Sequence, residues 1–254
     1  MKKIITMAVL ALFMASCSSD DSQSANSEDT LLLKKMVITD EDGVETTYDY
    51  NYDGHKLIGI SGPDGYYESY TYVGNQITYT KSVSSEVTIE DFFEYNNDGK
   101  IKSDITKIIY PENDDTSYDF TTTYTYIYNN DGSVSATSVT EFTELGQISE
   151  ENYTILYSES DNSIVYDYGS NTTYNYIYDG KNAPLKNVTG IVSNLNKGEN
   201  ILKGIIHDSS GEIIVNDNTY EYNTMNFPIS AIIKTNSGFN FNVQEIYHYQ
   251  YFYE

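Results

Sequence analysis

The sequence predicts an all-β protein: a single antiparallel meander of many hairpins, closed or nearly closed into a barrel. Three observations carry this. Aromatic or apolar residues alternate with polar ones at a period of two, and a Tyr-x-Tyr strand running into an Asx-Gly turn recurs along the chain. The third is compositional: the 254 residues include 27 Tyr, and nothing from Leu31 onward has the spacing of an amphipathic helix.

The first element is not part of the fold. Lys2 and Lys3 precede the apolar run Ile4 to Met14, which has the length of a signal-peptide hydrophobic region and is too short to span a bilayer as a mature helix. It ends in Met14-Ala15-Ser16-Cys17, small residues directly before the only Cys. This junction resembles the lipobox of bacterial lipoproteins, with Met14 a looser match than Leu. The resemblance implies that Cys17 is acylated and becomes the new N-terminus. Each buried methylene of an acyl chain contributes ~0.8 kcal/mol, so two or three chains hold far more firmly than one. Ser18 to Asp29 is rich in Ser and acid and has no apolar periodicity, which predicts a flexible tether. Ser18 and the acidic pair Asp20-Asp21 resemble the sorting signals of outer-membrane and surface-exported lipoproteins. The expected organisation is therefore a signal peptide at 1–16, a lipidated Cys17 with an acidic tether at 17–30, and one β domain at 31–254.

Within that domain the clearest strand is Tyr118 to Tyr128. Tyr118, Phe120, Thr122, Tyr124, Tyr126 and Tyr128 fall on one face, with Asp119, Thr121, Thr123, Thr125 and Ile127 on the other. The same strand recurs with a turn attached. Tyr50-Asn51-Tyr52-Asp53-Gly54 leads to Leu57, and Tyr70-Thr71-Tyr72-Val73-Gly74-Asn75 to Ile77. Phe93-Glu94-Tyr95 runs through Asp98-Gly99 to Ile101, and Tyr126-Ile127-Tyr128 through Asp131-Gly132 to Val134. Tyr176-Ile177-Tyr178-Asp179-Gly180 and the degenerate Tyr220-Glu221-Tyr222-Asn223 follow. Asp-Gly supplies the positive φ of a tight hairpin, so each unit is an aromatic strand, a turn and a more aliphatic return strand. Lys181 to Lys203 has the weakest strand signal and reads as a longer connection able to hold a short helical turn. The chain ends in the aromatic strand Tyr247-His248-Tyr249-Gln250-Tyr251-Phe252-Tyr253, placed to pair with an early strand and remove the sheet edges.

Composition excludes several functions. The formal net charge is -24, and all 14 cationic residues are Lys. Such a chain repels phosphate backbones and lacks the bidentate Arg that reads them, so no nucleic-acid partner is expected. A single Cys excludes an internal disulfide and a multi-thiolate metal site. Asp49-Tyr50-Asn51-Tyr52-Asp53-Gly54 matches the first half of a calcium loop, but the twelfth position is Ile60 where a bidentate Glu belongs. Glu94-Tyr95-Asn96-Asn97-Asp98-Gly99 fails in the same way at Ile105, so both read as hairpin turns. His55, His207 and His248 have no ligand spacing, and no hydrolase-elbow, dinucleotide or P-loop motif occurs. No cofactor, metal or catalytic residue is expected. The tyrosine rows read chiefly as core with hydroxyls reaching a partner at the rim, and otherwise as an exposed stacking platform.

The Tyr-x-Tyr-x-Asp-Gly unit resembles the tyrosine-aspartate (YD) repeats of Rhs-type shells. With the lipobox, Tyr178-Asp179-Gly180-Lys181-Asn182-Ala183-Pro184-Leu185, Asn226-Phe227-Pro228-Ile229 and the tyrosine-rich end, the chain is more similar to a bacterial lipoprotein domain family described as having a porin-like fold. That resemblance implies a β-barrel-like meander and no particular activity. The expectation is a lipid-anchored, surface-exposed outer-membrane protein, a non-catalytic module binding a glycan or an envelope protein. A structural envelope protein without a small ligand is the alternative, and a carbohydrate-acting enzyme the third reading. The aromatic rows lack the aliphatic middle of a lipid-facing band, so the barrel is expected outside the bilayer.

Overall fold

The computed structural model describes residues 31–111, 119–169, 172–191, 198–208, 211–237 and 243–254. The expected signal peptide, Cys17 and the tether lie outside the described residues, as does Tyr118. Seventeen strands follow one another: β1 (Leu33–Thr39), β2 (Glu45–Asp53), β3 (Lys56–Ser61), β4 (Tyr67–Val73), β5 (Gln76–Val83) and β6 (Thr88–Tyr95). Then come β7 (Ile101–Ile109), β8 (Phe120–Tyr128), β9 (Val134–Phe142), β10 (Gln147–Ser158), β11 (Ser163–Asp167) and β12 (Thr173–Asn182). The last are β13 (Glu199–Asp208), β14 (Gly211–Asp217), β15 (Thr219–Tyr222), β16 (Pro228–Ser237) and β17 (Val243–Tyr253).

Successive strands pair antiparallel, and β1 pairs with both β2 and β17. The expected meander is therefore a closed barrel. Sixteen strands make the ring; β15 is an extra short strand beside β16, because β14 itself reaches β16 through Asn216 and Thr235. Met36 faces Tyr251 across the closing seam, as the aromatic C-terminal strand predicts. Closure gives each of the sixteen ring strands a partner on both sides, which denies another chain an edge of the ring to extend.

Strand alternation assigns the two faces. On β2, Tyr48 and Tyr50 are buried while Glu45, Thr47, Asp49 and Asn51 are exposed. Residues paired across strands share a face. One inner row therefore runs Tyr50, Ile60, Glu68, Ser82, Ile89, Ile108, Phe120 and Phe142. The neighbouring outer row runs Asn51, Gly59, Ser69, Lys81, Glu90, Lys107, Thr121 and Glu141. The tyrosine rows face inward, and the outer wall combines this polar and charged row with exposed apolar residues, among them Val73, Ile109, Ile127, Ile148, Leu156 and Phe252.

The hairpins of the repeated Tyr-x-Tyr unit gather at one end, over a buried aliphatic core. Leu33, Leu57, Ile77, Ile101, Val134, Ile155 and Ile164 are all buried there. Gly99 and Gly132 take φ of 76° and 87°, as the hairpin reading requires. In three of these hairpins the register shifts next to the turn, leaving Ile58, Thr78 and Lys102 unopposed as bulges. The second tyrosine of the next unit reaches the carbonyl just before each bulge. Tyr72 donates to Leu57 O at 3.1 Å, Tyr95 to Ile77 O at 2.6 Å and Tyr128 to Ile101 O at 2.9 Å. Tyr52 opens the series on Leu33 O at 2.7 Å. The repeated motif is a chain of hooks, each fastening an even-numbered strand to the one before it.

The connection between β12 and β13 closes this end from inside. Ala183, Val188 and Ile191 join the same core cluster as Leu33, Leu57 and Ile77. The connection is shorter than the Lys181 to Lys203 expected, because β12 extends to Asn182 and β13 begins at Glu199. Its described part forms successive tight turns rather than a helical turn, with Lys186 N on Ala183 O, Val188 N on Leu185 O and Ile191 N on Val188 O. Cross-links to the barrel replace helical bonds: Thr189 N donates to His55 O at 2.8 Å, and Gly190 has φ of +76°.

Candidate functional site

Away from the hairpin end the inner wall becomes polar. One row across β5 to β9 reads Thr80, Asp91, Thr106, Thr122 and Thr140. The next, across β6 to β10, reads Phe93, Asp104, Tyr124, Ser138 and Glu151. The third reads Tyr126, Ala136 and Tyr153.

Three carboxylates on this wall are held by hydroxyls. Glu68 accepts from Tyr70 at 2.6 Å and Tyr66 at 3.2 Å. Asp91 accepts from Thr106 Oγ1 at 2.7 Å and Thr80 Oγ1 at 2.9 Å. Asp104 accepts from Tyr126. Burial raises all three above the ordinary carboxylate range, and the hydroxyl bonds only partly offset it. Asp104 is pushed up to about 7, with Asp91 adding like-charge repulsion. Its proton therefore titrates near neutrality. Glu151 is exposed to solvent on the same inner face, and its charge contributes to raising the Tyr124 and Tyr168 hydroxyls.

Beside these carboxylates stands a group of tyrosines on β10, β11, β12 and the turn between the last two. Tyr153 and Tyr168 stack at 4.9 Å, and Tyr174 meets Tyr168 edge-on at 5.4 Å. Tyr176 meets Tyr166 edge-on at 5.8 Å. Burial lifts the Tyr168 hydroxyl to about 12, and that of Tyr153 further. All five rings are only half-buried. Eight strands suffice to be filled by side chains, whereas sixteen enclose more space, and these half-buried rings stand on the inner side of the wall.

Positive charge is sorted away from this wall. The lysines of β4 to β11 are Lys81, Lys102 and Lys107. Lys81 pairs with Glu90 at 3.0 Å and Lys102 with Glu94 at 3.5 Å, while Lys107 stands over the Phe92 ring, all on the outer face. At the hairpin end Lys34, Lys56, Lys100 and Lys181 lie over the rings of Tyr52, Tyr72, Tyr128 and Tyr222, at 4.9, 5.3, 4.6 and 3.8 Å.

The structure does not bring the three histidines together: His55 is in the β2–β3 turn against Asn187 O, His207 on β13 opposite Thr173, and His248 on β17 opposite Ile232. Asp49, Asn51 and Asp53 lie on the outer face of a hairpin, with Ile60 on the inner face opposite Tyr50. Residue type alone does not single out Glu68, Asp91, Asp104 and Glu151 among 38 acids. A signal did exist in the alternation: Glu68 shares its register with Tyr66 and Tyr70, Asp91 with Phe93, and Glu151 with Tyr153. Residues two apart on a strand share a face, so these acids follow their aromatic neighbours inward, whereas Glu90 follows Phe92 outward.

No protein-family model matches the chain, and no curated protein matches it. Solved structures to which it is similar include two porin-like proteins. A porin-like protein from Bacteroides uniformis is 14% identical with a TM-score of 0.47, over 87% of this chain and 98% of that one. A porin-like protein from Bacteroides vulgatus is 12% identical with a TM-score of 0.57, over 88% of this chain and 98% of that one. At such identity the likeness to the second is one of fold alone, that of a porin-like barrel.

Proposed function

We propose that this chain is a non-catalytic binding barrel of the bacterial envelope, anchored in the outer membrane through acylated Cys17, displayed at the cell surface, and taking its ligand into the lumen. The observation that carries the reading is the half-buried tyrosine group of β10 to β12 beside Asp104 and Glu151. Tyr153, Tyr166 and Tyr176 pack against the core cluster of Val134, Ala136, Ile155, Ile164 and Tyr178, and the half-buried Tyr168 and Tyr174 continue the group beyond it. The outer row argues for a barrel beside the bilayer rather than in it, because Lys81, Glu90 and Lys107 would face lipid at a cost of several kcal/mol near the midplane. The lipobox-like junction supplies attachment without insertion.

A structural envelope protein is the second reading, favoured by the hooks and the inserted connection at the hairpin end. Two experiments on intact cells bear on the proposal. Palmitate labelling should be present in the parent chain and absent from Cys17→Ser; label retained by the variant would refute the anchor. Envelope glycans and proteins captured by the parent chain should be lost on Tyr168→Leu. Capture that survives that change would place binding outside the lumen.

A further inference from the structure

We propose that the lumenal wall of β7 and β10 to β12 binds an organic cation, its ammonium groups resting on the faces of Tyr153, Tyr168 and Tyr174 and reaching the carboxylates of Asp104 and Glu151. This rests on reading the lumen as a ligand-binding space. The ligand class follows from the chemistry of the wall. Tyrosine faces attract cations through the ring quadrupole, and the attraction grows where water is thinned out. The charged groups of this wall are carboxylates.

The distribution of lysine is the second argument. The chain has 14, yet Lys81, Lys102 and Lys107 of β4 to β11 all stand on the outer face. A lumen for an anionic ligand would place at least one of them inward. A neutral sugar would gain from amide groups offering both donors and acceptors, but the three rows described above carry Tyr, Phe, Thr, Ser, Ala, Asp and Glu and no amide side chain.

The third argument comes from the hairpin end of the same barrel. There four tyrosine rings each carry an ammonium group of the chain itself, at 3.8 to 5.3 Å from the ring centre. Among the described residues no lysine covers Tyr153, Tyr166, Tyr168 or Tyr174. The mid-lumen rings thus offer the same face with the cation missing, and Asp104 and Glu151 beside them supply the counter-charge.

Binding is coupled to protons at Asp104. Its titratable neighbours are Asp91 and Tyr95 on β6, Tyr124, Tyr126 and Tyr128 on β8, and Tyr153 on β10, with Glu151 in the same cross-strand row. None is a cation. Burial holds the proton on Asp104 to about pH 7, so a cation must displace it below that pH and finds it already gone above. Affinity therefore rises with pH.

The test uses the full chain in a non-ionic detergent free of sugar, with spermidine as the cationic probe and maltotriose as the neutral one. The absence of Trp lets tyrosine emission report directly. At about 150 mM salt, where long-range surface attraction is screened, spermidine should quench saturably. Affinity should fall by roughly tenfold or more in the double variant Asp104→Asn, Glu151→Gln, which removes two charge partners. It should fall in Tyr168→Leu as well, and on moving from about pH 8.5 to 5.5. The outward variant Glu90→Gln should leave it unchanged. Circular dichroism on each variant separates lost binding from lost fold, and the isosteric double variant keeps the test valid should Tyr168→Leu unfold. A non-saturating response, or equal weakening by Glu90→Gln, would mean counter-ion attraction to an acidic surface and would overturn the proposal. Saturable binding of maltotriose without spermidine would overturn the cation and leave lumenal binding standing. If neither probe binds, both readings fall and the structural one replaces them.

Discussion

A tyrosine in this barrel has two jobs, and its place along the strand decides which. Near the hairpins its ring fills the core and its hydroxyl satisfies a carbonyl beside a bulge. Tyr95 shows this well, with a bond of 2.6 Å to Ile77 O from a strand that Ile77 does not itself belong to. Tyr95→Phe keeps the ring and strands that carbonyl, which should cost about 1–2 kcal/mol in urea unfolding. Tyr67→Phe serves as the control, because Tyr67 faces outward and is 43% exposed, and it should change stability by no more than a few tenths of that. Equal effects from the two substitutions would show that the hydroxyl bond contributes nothing. The sequence announces that these hydroxyls need partners at a rim. It does not name the partners, because Ile77 becomes the acceptor only once β5 lies beside β6. The carboxylates were legible in part: Asp91 sits two residues from Phe93, in the inward register, but what faces it depends on Thr80 and Thr106 from the strands on either side.

At the scale of elements, the hairpins follow from local chemistry and the β12–β13 connection does not. Asp-Gly pairs fix turns through backbone angles alone, so these hairpin positions were readable one by one. The connection was readable only as a weak strand signal. Its role depends on distant segments: Asn187 Nδ2 reaches Leu31 O at 3.1 Å, and Gly190 packs against the β4–β5 turn. A side chain at Gly190 would collide with the carbonyl of Asn75 while holding φ at +76°. Gly190→Val should therefore expel the connection from the hairpin end, with a stability loss of at least about 1 kcal/mol from the backbone angle alone. Limited proteolysis should then nick the chain between 183 and 198 well below the melting temperature. Gly54→Val, with a similar angle but open space around it, should leave that segment protected. Cleavage at the same rate in both variants would mean that the connection is not held by this contact.

At the scale of the whole molecule, closure converts a one-dimensional alternation into an inside and an outside. The period-two pattern predicted an aromatic face and a polar face, and pairing of β17 with β1 makes the first a lumen and the second a wall. The strand count was not readable in advance, since β14 and β15 are separated only by Asn218, whose amide and side chain both turn to β13. That count governs function, because the space inside the barrel grows with it. The central claim is that the polar row through Lys81, Glu90 and Lys107 meets water while the tyrosines meet the lumen. It is tested most directly by purifying residues 31–254 without anchor or detergent and recording circular dichroism through a thermal melt. The account predicts a β-type spectrum and a cooperative transition in plain buffer. A β-type spectrum that forms only after detergent or lipid is added would mean that the outer wall faces a bilayer, and would contradict it.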